Sequence, residues 1–320
     1  MQVISAEEIR RHVSYGDMVE ALRKGFASGI VAPLRHHHGV ERAGHPEATL
    51  LLMPAWSDFS DAAAGDGFIG LKVLTVFPDN PAAGRPSIQG SYFLISGETG
   101  APVAIIDGVE LTVRRTSCAS ALAADYLARK DADTMVMVGA GALAGHLVRA
   151  HAAVRPIRRV SVWNRTREKA AELAAELGRE GFEAQMCGDL AAAVGEADIV
   201  SCATMSDRPL VEGAWLKPGA HLDLVGAFKP ELRESDDEAM RRGSVFVDTR
   251  EGALSEAGDI VQAVRSGALS EDRIRADLFD LVAGRSRGRE SEEEITVFKS
   301  VGAALEDLAG AMLIHERVAG

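Results

Sequence analysis

The sequence predicts two architectures in one chain: an α+β segment ahead of Arg129-Lys130-Asp131-Ala132-Asp133, and a doubly wound α/β unit with a parallel sheet after it. Three observations carry the prediction. Between Pro33 and Ala104, short strand-like stretches are broken by Gly, Pro and Asn. From Thr134 onward, strand-like and helix-like stretches alternate, the grammar of a parallel sheet with helical crossovers. The first crossover is opened by Gly139-Ala140-Gly141-Ala142-Leu143-Ala144, directly after an apolar, β-branched strand.

Ser5, followed three residues later by Glu8, reads as a capped helix start. Asp17 opens an apolar-periodic segment through Phe26. Strands are expected at Thr49–Met53, Phe68–Val76, Gly90–Ile95 and Pro102–Ile106, and a long helix at Leu111–Leu127. In the second segment the strands are Met135–Val138, Arg159–Trp163, Phe182–Gln185, Ile199–Ala203, His221–Val225 and Val245–Val247. Helices are expected at Gly141–Ala153 and Glu168–Leu177. A charged run, Ser291-Glu292-Glu293-Glu294, precedes a strand-like Ile295–Phe298, and Gly302–Val318 reads as a closing helix.

At 320 residues the chain is long for one domain and suits two. A formal charge of −12 argues against nucleic acid or an anionic membrane surface as partner, so any basic site must be built locally. Cys118, Cys187 and Cys202 are odd in number and not spaced as metal pairs, which fits a reducing compartment. No signal-peptide pattern opens the chain and no run of about 18 apolar residues occurs, so a cytoplasmic protein is expected. His36-His37-His38 is not expected to hold metal, because successive strand side chains alternate faces and no Cys or HExxH partner accompanies them.

The G-x-G-x-x-A run has the chemistry of a dinucleotide site. Gly139 permits the tight turn, Gly141 lets backbone approach a pyrophosphate, and Ala144 allows close helix–strand packing, with Ala140, Ala142 and Leu143 completing the turn. The following helix N-terminus offers N–H groups and partial positive charge to the phosphates. A Rossmann unit is therefore expected here. The end of its second strand selects the cofactor. An NAD site usually places a carboxylate there for the ribose 2′-OH, whereas this chain has Trp163-Asn164-Arg165-Thr166-Arg167. Asn164, Arg165 and Thr166 suit a 2′-phosphate, so NADP(H) is favoured over NAD(H).

Further blocks come in order along the chain: Met53-Pro54, Gly70-Leu71-Lys72, Gly90-Ser91-Tyr92, Thr99-Gly100-Ala101-Pro102, Asp107-Gly108 and Leu111-Thr112-Val113-Arg114-Arg115-Thr116. With the mid-chain fingerprint they resemble the ornithine cyclodeaminase/mu-crystallin family. The resemblance implies a Rossmann domain, 117–297, inserted into an α+β substrate-binding and dimerisation domain made of 1–116 plus 298–320, in a homodimer. It also implies that Arg35, Lys72, Arg115 and Met53 bind the substrate, with Lys72 as the catalytic residue. Thr204, and more weakly Gly226 and Lys299, are implied at the dinucleotide. The chemistry is coherent on its own: two arginines suit a small carboxylate, and a lysine in the apolar strand Phe68–Leu74 beside two guanidiniums should lose charge readily. Arg114 and Arg115, adjacent on a helix, should face different directions with only one pointing inward, and the family pattern selects Arg115.

Ornithine cyclodeaminases carry an acid two residues before the Met of the M-P block and an Asp after a V-G-G-type turn. Here those places hold Leu51 and Phe228. The three cations are thus expected to gather without an acid beside them. Gly226-Ala227-Phe228-Lys229-Pro230-Glu231-Leu232-Arg233-Glu234 resembles the ketimine reductase branch, which implies a small cyclic imino acid as substrate. The expected reaction is reduction of Δ1-pyrroline-2-carboxylate to L-proline, and of the six-membered Δ1-piperideine-2-carboxylate to L-pipecolate. The alternatives are ornithine cyclodeaminase, alanine dehydrogenase, and a non-enzymatic NADPH-binding protein similar to mu-crystallin.

Overall fold

A computed structural model describes residues 1–60 and 67–319 of the chain. These divide into two compact units, Met1–Thr116 with Ala303 onward, and Ser117–Gly302. The second crossing lies five residues beyond the expected 297/298, because Thr296–Lys299 is a strand of the second unit's sheet.

The first unit is built on a six-stranded sheet. Its strands are β1 (Gln2–Ile4), β2 (His36–Val40), β3 (Ala48–Trp56), β4 (Phe68–Val76), β5 (Ile88–Ser96) and β6 (Pro102–Asp107), in the order β1-β6-β5-β4-β3-β2. Strands β2 to β6 form an antiparallel meander, and β1 adds to β6 in parallel. Neither β1 nor β2 is legible in the sequence. The first is three residues long, and β2 is the exposed His36-His37-His38-Gly39-Val40, which has no hydrophobic alternation.

Helix α1 (Ala6–His12) starts with the expected Ser5–Glu8 capping box. Helix α2 (Tyr15–Ala27) starts two residues before the expected Asp17, because Ser14 is its N-cap and Asp17 completes a second capping box from the third helical position. Helix α3 (Gly108–Leu127) runs through the first division of the chain. The last helix of the chain packs across β3, β4 and β5 and against α1 and α2, so the terminal segment covers one face of the first sheet.

The second unit contains an eight-stranded, wholly parallel sheet. Its strands are β7 (Thr134–Val138), β8 (Arg159–Trp163), β9 (Glu183–Met186), β10 (Ile199–Cys202), β11 (His221–Leu224), β12 (Ser244–Val247), β13 (Ile274–Asp277) and β14 (Thr296–Lys299). Their order is β13-β12-β14-β11-β10-β7-β8-β9. Val136 and Val138 enter one hydrophobic cluster while Met135 and Met137 enter another, the mark of a sheet covered on both faces. The crossovers include α4 (Ala144–Val154), α5 (Arg167–Arg179), α6 (Leu190–Glu196), α7 (Asp237–Arg242), α8 (Arg250–Glu256), α9 (Gly258–Ser266) and α10 (Leu278–Val282). The chain winds from β7 outward through β8 to β9, then returns to β10 on the other side of β7. That reversal is a topological switch point, the crevice where doubly wound sheets bind ligands. Among the described residues no helix is long and apolar enough to cross a membrane.

Candidate functional site

Two groups of side chains carry chemistry, one in each unit. In the second unit, the turns after β7, β8 and β10 enclose a cavity of about 390 Å³ at the switch point, lined by the whole Gly139-Ala140-Gly141 turn, Asn164, Arg165, Thr166 and Thr204. Gly139 has φ +111°, and a side chain there would meet the Ala203 carbonyl oxygen at 2.7 Å, so this position excludes any other residue. Nothing lies within 4 Å of where a side chain on Gly141 would start, which leaves the backbone open to a ligand. Helix α4 begins at Ala144 rather than the expected Gly141. Ala144 N–H bonds Gly141 carbonyl at 3.1 Å and leaves Ala142 and Leu143 in the turn. The helix has no side-chain cap hydrogen bond at Leu143, and Ala144 is fully buried against the sheet. Open backbone, uncapped helix N-terminus and glycine-only turn fit a dinucleotide pyrophosphate.

The wall after β8 is only partly as expected. Asn164 serves the turn itself: its Oδ1 accepts from Ala140 N–H at 3.3 Å and its Nδ2 donates to Thr166 carbonyl at 2.8 Å. Arg165 lines the cavity, but Arg167 does not. Arg167 opens α5, and one of its guanidinium nitrogens lies 3.6 Å from where a side chain on Gly188 would start. Lys169, two residues further along α5, lines the cavity instead. A lysine whose position is set by helical phase could have been found by extending the search one turn into that helix.

Thr204 and Gly226 are placed together but not simply as ligand contacts. The Thr204 N–H and hydroxyl both donate to Glu234 Oε1, at 2.6 and 2.8 Å, and Gly226 N–H donates to Glu234 Oε2 at 2.6 Å. A side chain on Gly226 would lie 2.0 Å from the Thr204 carbonyl oxygen. Lys299 is fully buried on β14 and 3.5 Å from Asp259, away from the cavity lining.

In the first unit the cations gather on one face of the sheet. Lys72, at the centre of β4, is fully buried, with Met53 on β3 and Tyr92 on β5 as its register partners, both buried. The final helix, α11 (Ala304–Ala319), brings Glu306 and Asp307 to the cluster. Lys72 Nζ contacts both Asp307 oxygens, at 2.8 and 2.7 Å. Arg115 donates to Glu306 at 2.6 Å and pairs through Nε with Asp307 at 2.9 Å. The expectation of cations without an acid beside them is therefore wrong. Two acidic residues in the first turn of a helix read as solvated charges that favour the helix dipole, and nothing local shows that they face a lysine 235 residues away.

The electrostatics follow from burial. Burial and Arg115 bring Lys72 down to about 7, with Arg35 adding to the effect and Asp307 opposing it. Burial works against the Arg115 charge, but Asp307 and Glu306 outweigh it and hold the guanidinium above its usual range. Burial, with Asp307, raises the Tyr92 phenol well above its ordinary value. Arg35 is half-buried just ahead of β2. Arg114, expected to face outward, is also buried: it binds Glu110 at 2.7 Å and lies over the Tyr15 ring. Both arginines point into protein, because the Val13 carbonyl between α1 and α2 and the Tyr15 ring receive Arg114.

Leu51 shares a strand face with Met53, two residues on, and is half-buried. Phe228 packs against a hydrophobic cluster of the second unit. Among the described residues, no group of three His, Cys, Asp or Glu is arranged to hold a metal ion.

A Δ1-pyrroline-2-carboxylate reductase of Paracoccus denitrificans is 42% identical over 322 residues, covering 100% of this chain and 98% of that one. The structure of Thermococcus litoralis Δ1-pyrroline-2-carboxylate reductase with NADH and L-proline matches with a TM-score of 0.91 and 34% identity, covering 99% of this chain and 97% of that one. An archaeal alanine dehydrogenase dimer with bound NAD matches at 0.89 and 29% identity, with 99% and 95% covered. The model of the ornithine cyclodeaminase/mu-crystallin family matches residues 1–320, and the chain belongs to that family.

Proposed function

We propose that this protein reduces cyclic ketimine carboxylates, Δ1-pyrroline-2-carboxylate to L-proline above all, using NADPH in preference to NADH. The observation that carries this reading is the fully buried Lys72, brought to about 7 between Arg115 and Asp307. A lysine that exchanges its proton near neutrality suits reduction of a C=N bond, which takes up one hydride and one proton. The reduced dinucleotide, when bound, supplies the hydride. Lys72 holds the proton and gives it to the imine nitrogen. Arg35 and the outer guanidinium nitrogen of Arg115, left over from the contacts with Glu306 and Asp307, hold the substrate carboxylate. Asp307 keeps the lysine and Arg115 aimed from one side. Arg35, half-buried and near enough to act on Lys72, adds a third cation for a substrate carboxylate. Leu51 adds no acid on that face.

Arg165 and Lys169 give the β8 wall two cations and no carboxylate, which supports a 2′-phosphate and hence NADP(H). A homodimer is supported by the outer face of the first sheet. Leu71, Phe93 and Ile105 are successive cross-strand partners, and Val3 extends the row on β1. Val3 is 70% exposed and Phe93 37%, and Leu71 and Phe93 help line an apolar hollow of about 270 Å³. A second copy of this chain is the occupant proposed for it, in keeping with the dimeric alanine dehydrogenase.

Five outcomes are expected. NADPH oxidation with the five-membered imine outpaces ammonia release from ornithine supplied with catalytic NAD; the reverse order overturns the reductase reading in favour of the cyclodeaminase. For Lys72, kcat/KM for imine reduction falls about tenfold per pH unit as the ammonium is lost above about 7, whereas L-proline oxidation, which needs the neutral amine, rises. Lys72→Ala lowers kcat by about 10²–10⁴-fold, and a flat wild-type profile across neutral pH removes Lys72 from proton transfer. Arg165→Ala raises KM for NADPH about tenfold or more and leaves NADH nearly unchanged, since a charged hydrogen bond is worth about 1.5–3 kcal/mol; equal effects on both exclude a 2′-phosphate contact. Sedimentation gives twice the chain mass for the wild type and one chain mass for Phe93→Glu, and a monomeric wild type ends the dimer proposal.

A further inference from the structure

The buried carboxylate of Glu234 belongs to neither the expected fingerprint nor the substrate cluster, yet it is the most heavily bonded acid at the switch point. It lies on the segment between β11 and α7, fully buried. One oxygen receives the Thr204 N–H at 2.6 Å and the Thr204 hydroxyl at 2.8 Å. The other receives Gly226 N–H at 2.6 Å and Ala227 N–H at 3.3 Å. Thr204 belongs to the turn after β10 and Gly226 to the turn after β11, so a single side chain staples two adjacent strand-end turns.

The first of those turns is a wall of the dinucleotide cavity: Thr204, Met205, Ser206 and Asp207 all line it. Its position also bears on the glycine fingerprint, since a side chain on Gly139 would lie 3.2 Å from the Thr204 methyl group. Glu234 is itself held from behind. Its N–H and that of Ser235 both donate to Asp259 Oδ1, at 3.0 and 2.9 Å, and Asp259 Oδ2 stands 3.5 Å from Lys299 Nζ. Burial pushes Glu234 up to about 7, with Asp259 adding and Lys299 and Thr204 opposing. A group this costly to bury, when a shorter neutral side chain would fill less space, is retained for what it holds in place.

We infer that Glu234 is a positioning residue of the dinucleotide site, which fixes the Thr204 turn against the Gly139–Gly141 turn so that the cavity wall stands preformed for the cofactor. The inference rests on the nicotinamide dinucleotide binding in this cavity and not on the identity of the imine. Replacing Glu234 by Gln tests it with little change of shape. The amide has one acceptor oxygen and one NH₂. Gly226 and Ala227 offer only N–H groups, so the oxygen must turn to them, and the NH₂ then faces Thr204. The Thr204 N–H loses its acceptor, and the turn loses its backbone anchor.

The experiment is direct titration of NADPH and NADH, without imine, into wild type, Glu234→Gln, Thr204→Val and Thr204→Ser, alongside thermal unfolding and turnover at saturating cofactor. Expected for Glu234→Gln is a Kd raised about ten- to a hundredfold for both dinucleotides, with kcat at saturation within about threefold of wild type. A raised Kd for both cofactors separates this effect from the Arg165 contact, which moves NADPH alone. Thr204→Ser keeps the hydroxyl and stays near wild type, whereas Thr204→Val binds several-fold more weakly. A folded Glu234→Gln protein with wild-type Kd overturns the inference. Should that variant fail to fold, Glu234→Asp, whose shorter side chain withdraws the carboxylate from both turns, is titrated in its place, and wild-type binding by it overturns the inference. Wild-type protein that binds neither dinucleotide would sink the cofactor assignment, an outcome distinct from unchanged binding in the variants.

Discussion

The interaction on which the first unit depends is the buried contact of Lys72 with Asp307. Lys72 sits at the middle of an apolar strand, fully buried, where an unpaired ammonium would be prohibitive. Its partner comes from the last helix, so the sheet is complete only when the chain's final segment has returned to cover it. The same carboxylate pairs with Arg115, whose other contact is Glu306 on the same helix turn. One turn of α11 therefore neutralises two cations delivered by β4 and α3.

Much of this arrangement was legible in the sequence, and the illegible part has a common cause. Lys72 stood out because its strand is apolar on both sides, and Gly139–Ala144 because a glycine turn between strand and helix has few other uses. Phe68–Val76 and Arg159–Trp163 were read to the residue, each having strong β-branched content. The missing pieces are those whose meaning comes from distant partners. Glu306 and Asp307 look like ordinary first-turn acids until α11 is laid on the sheet. Arg114 looked like the outward member of a pair because its long-range partners, the Val13 carbonyl and the Tyr15 ring, are a tertiary fact. Strand β2 had no apolar pattern to find, since it is an exposed edge. Glu234 lies in a loop segment that gives no periodic signal at all.

The second unit shows a related economy of parts. Its parallel sheet leaves every strand end pointing into the same crevice, and the turns there must be held at fixed separations for a long, charged cofactor to lie across them. Gly139 achieves this by close approach to Ala203, Asn164 by bonding the first turn to the second, and Glu234 by bonding the third to the fourth. Backbone is left open at Gly141, while the supporting contacts are made by side chains around it.

The charge balance around Lys72 has a thermodynamic consequence. With its proton, Lys72 and Arg115 balance Glu306 and Asp307; without it, these four groups carry one negative charge. An arriving anion stabilises the ammonium form, so its association and protonation of the lysine are linked equilibria. If the substrate binds here as proposed, part of the protein population takes up a proton from the medium near neutrality as the ligand enters. The heat of association would then carry a contribution from the buffer's own ionisation, and the substrate would recruit the proton that its reduction consumes.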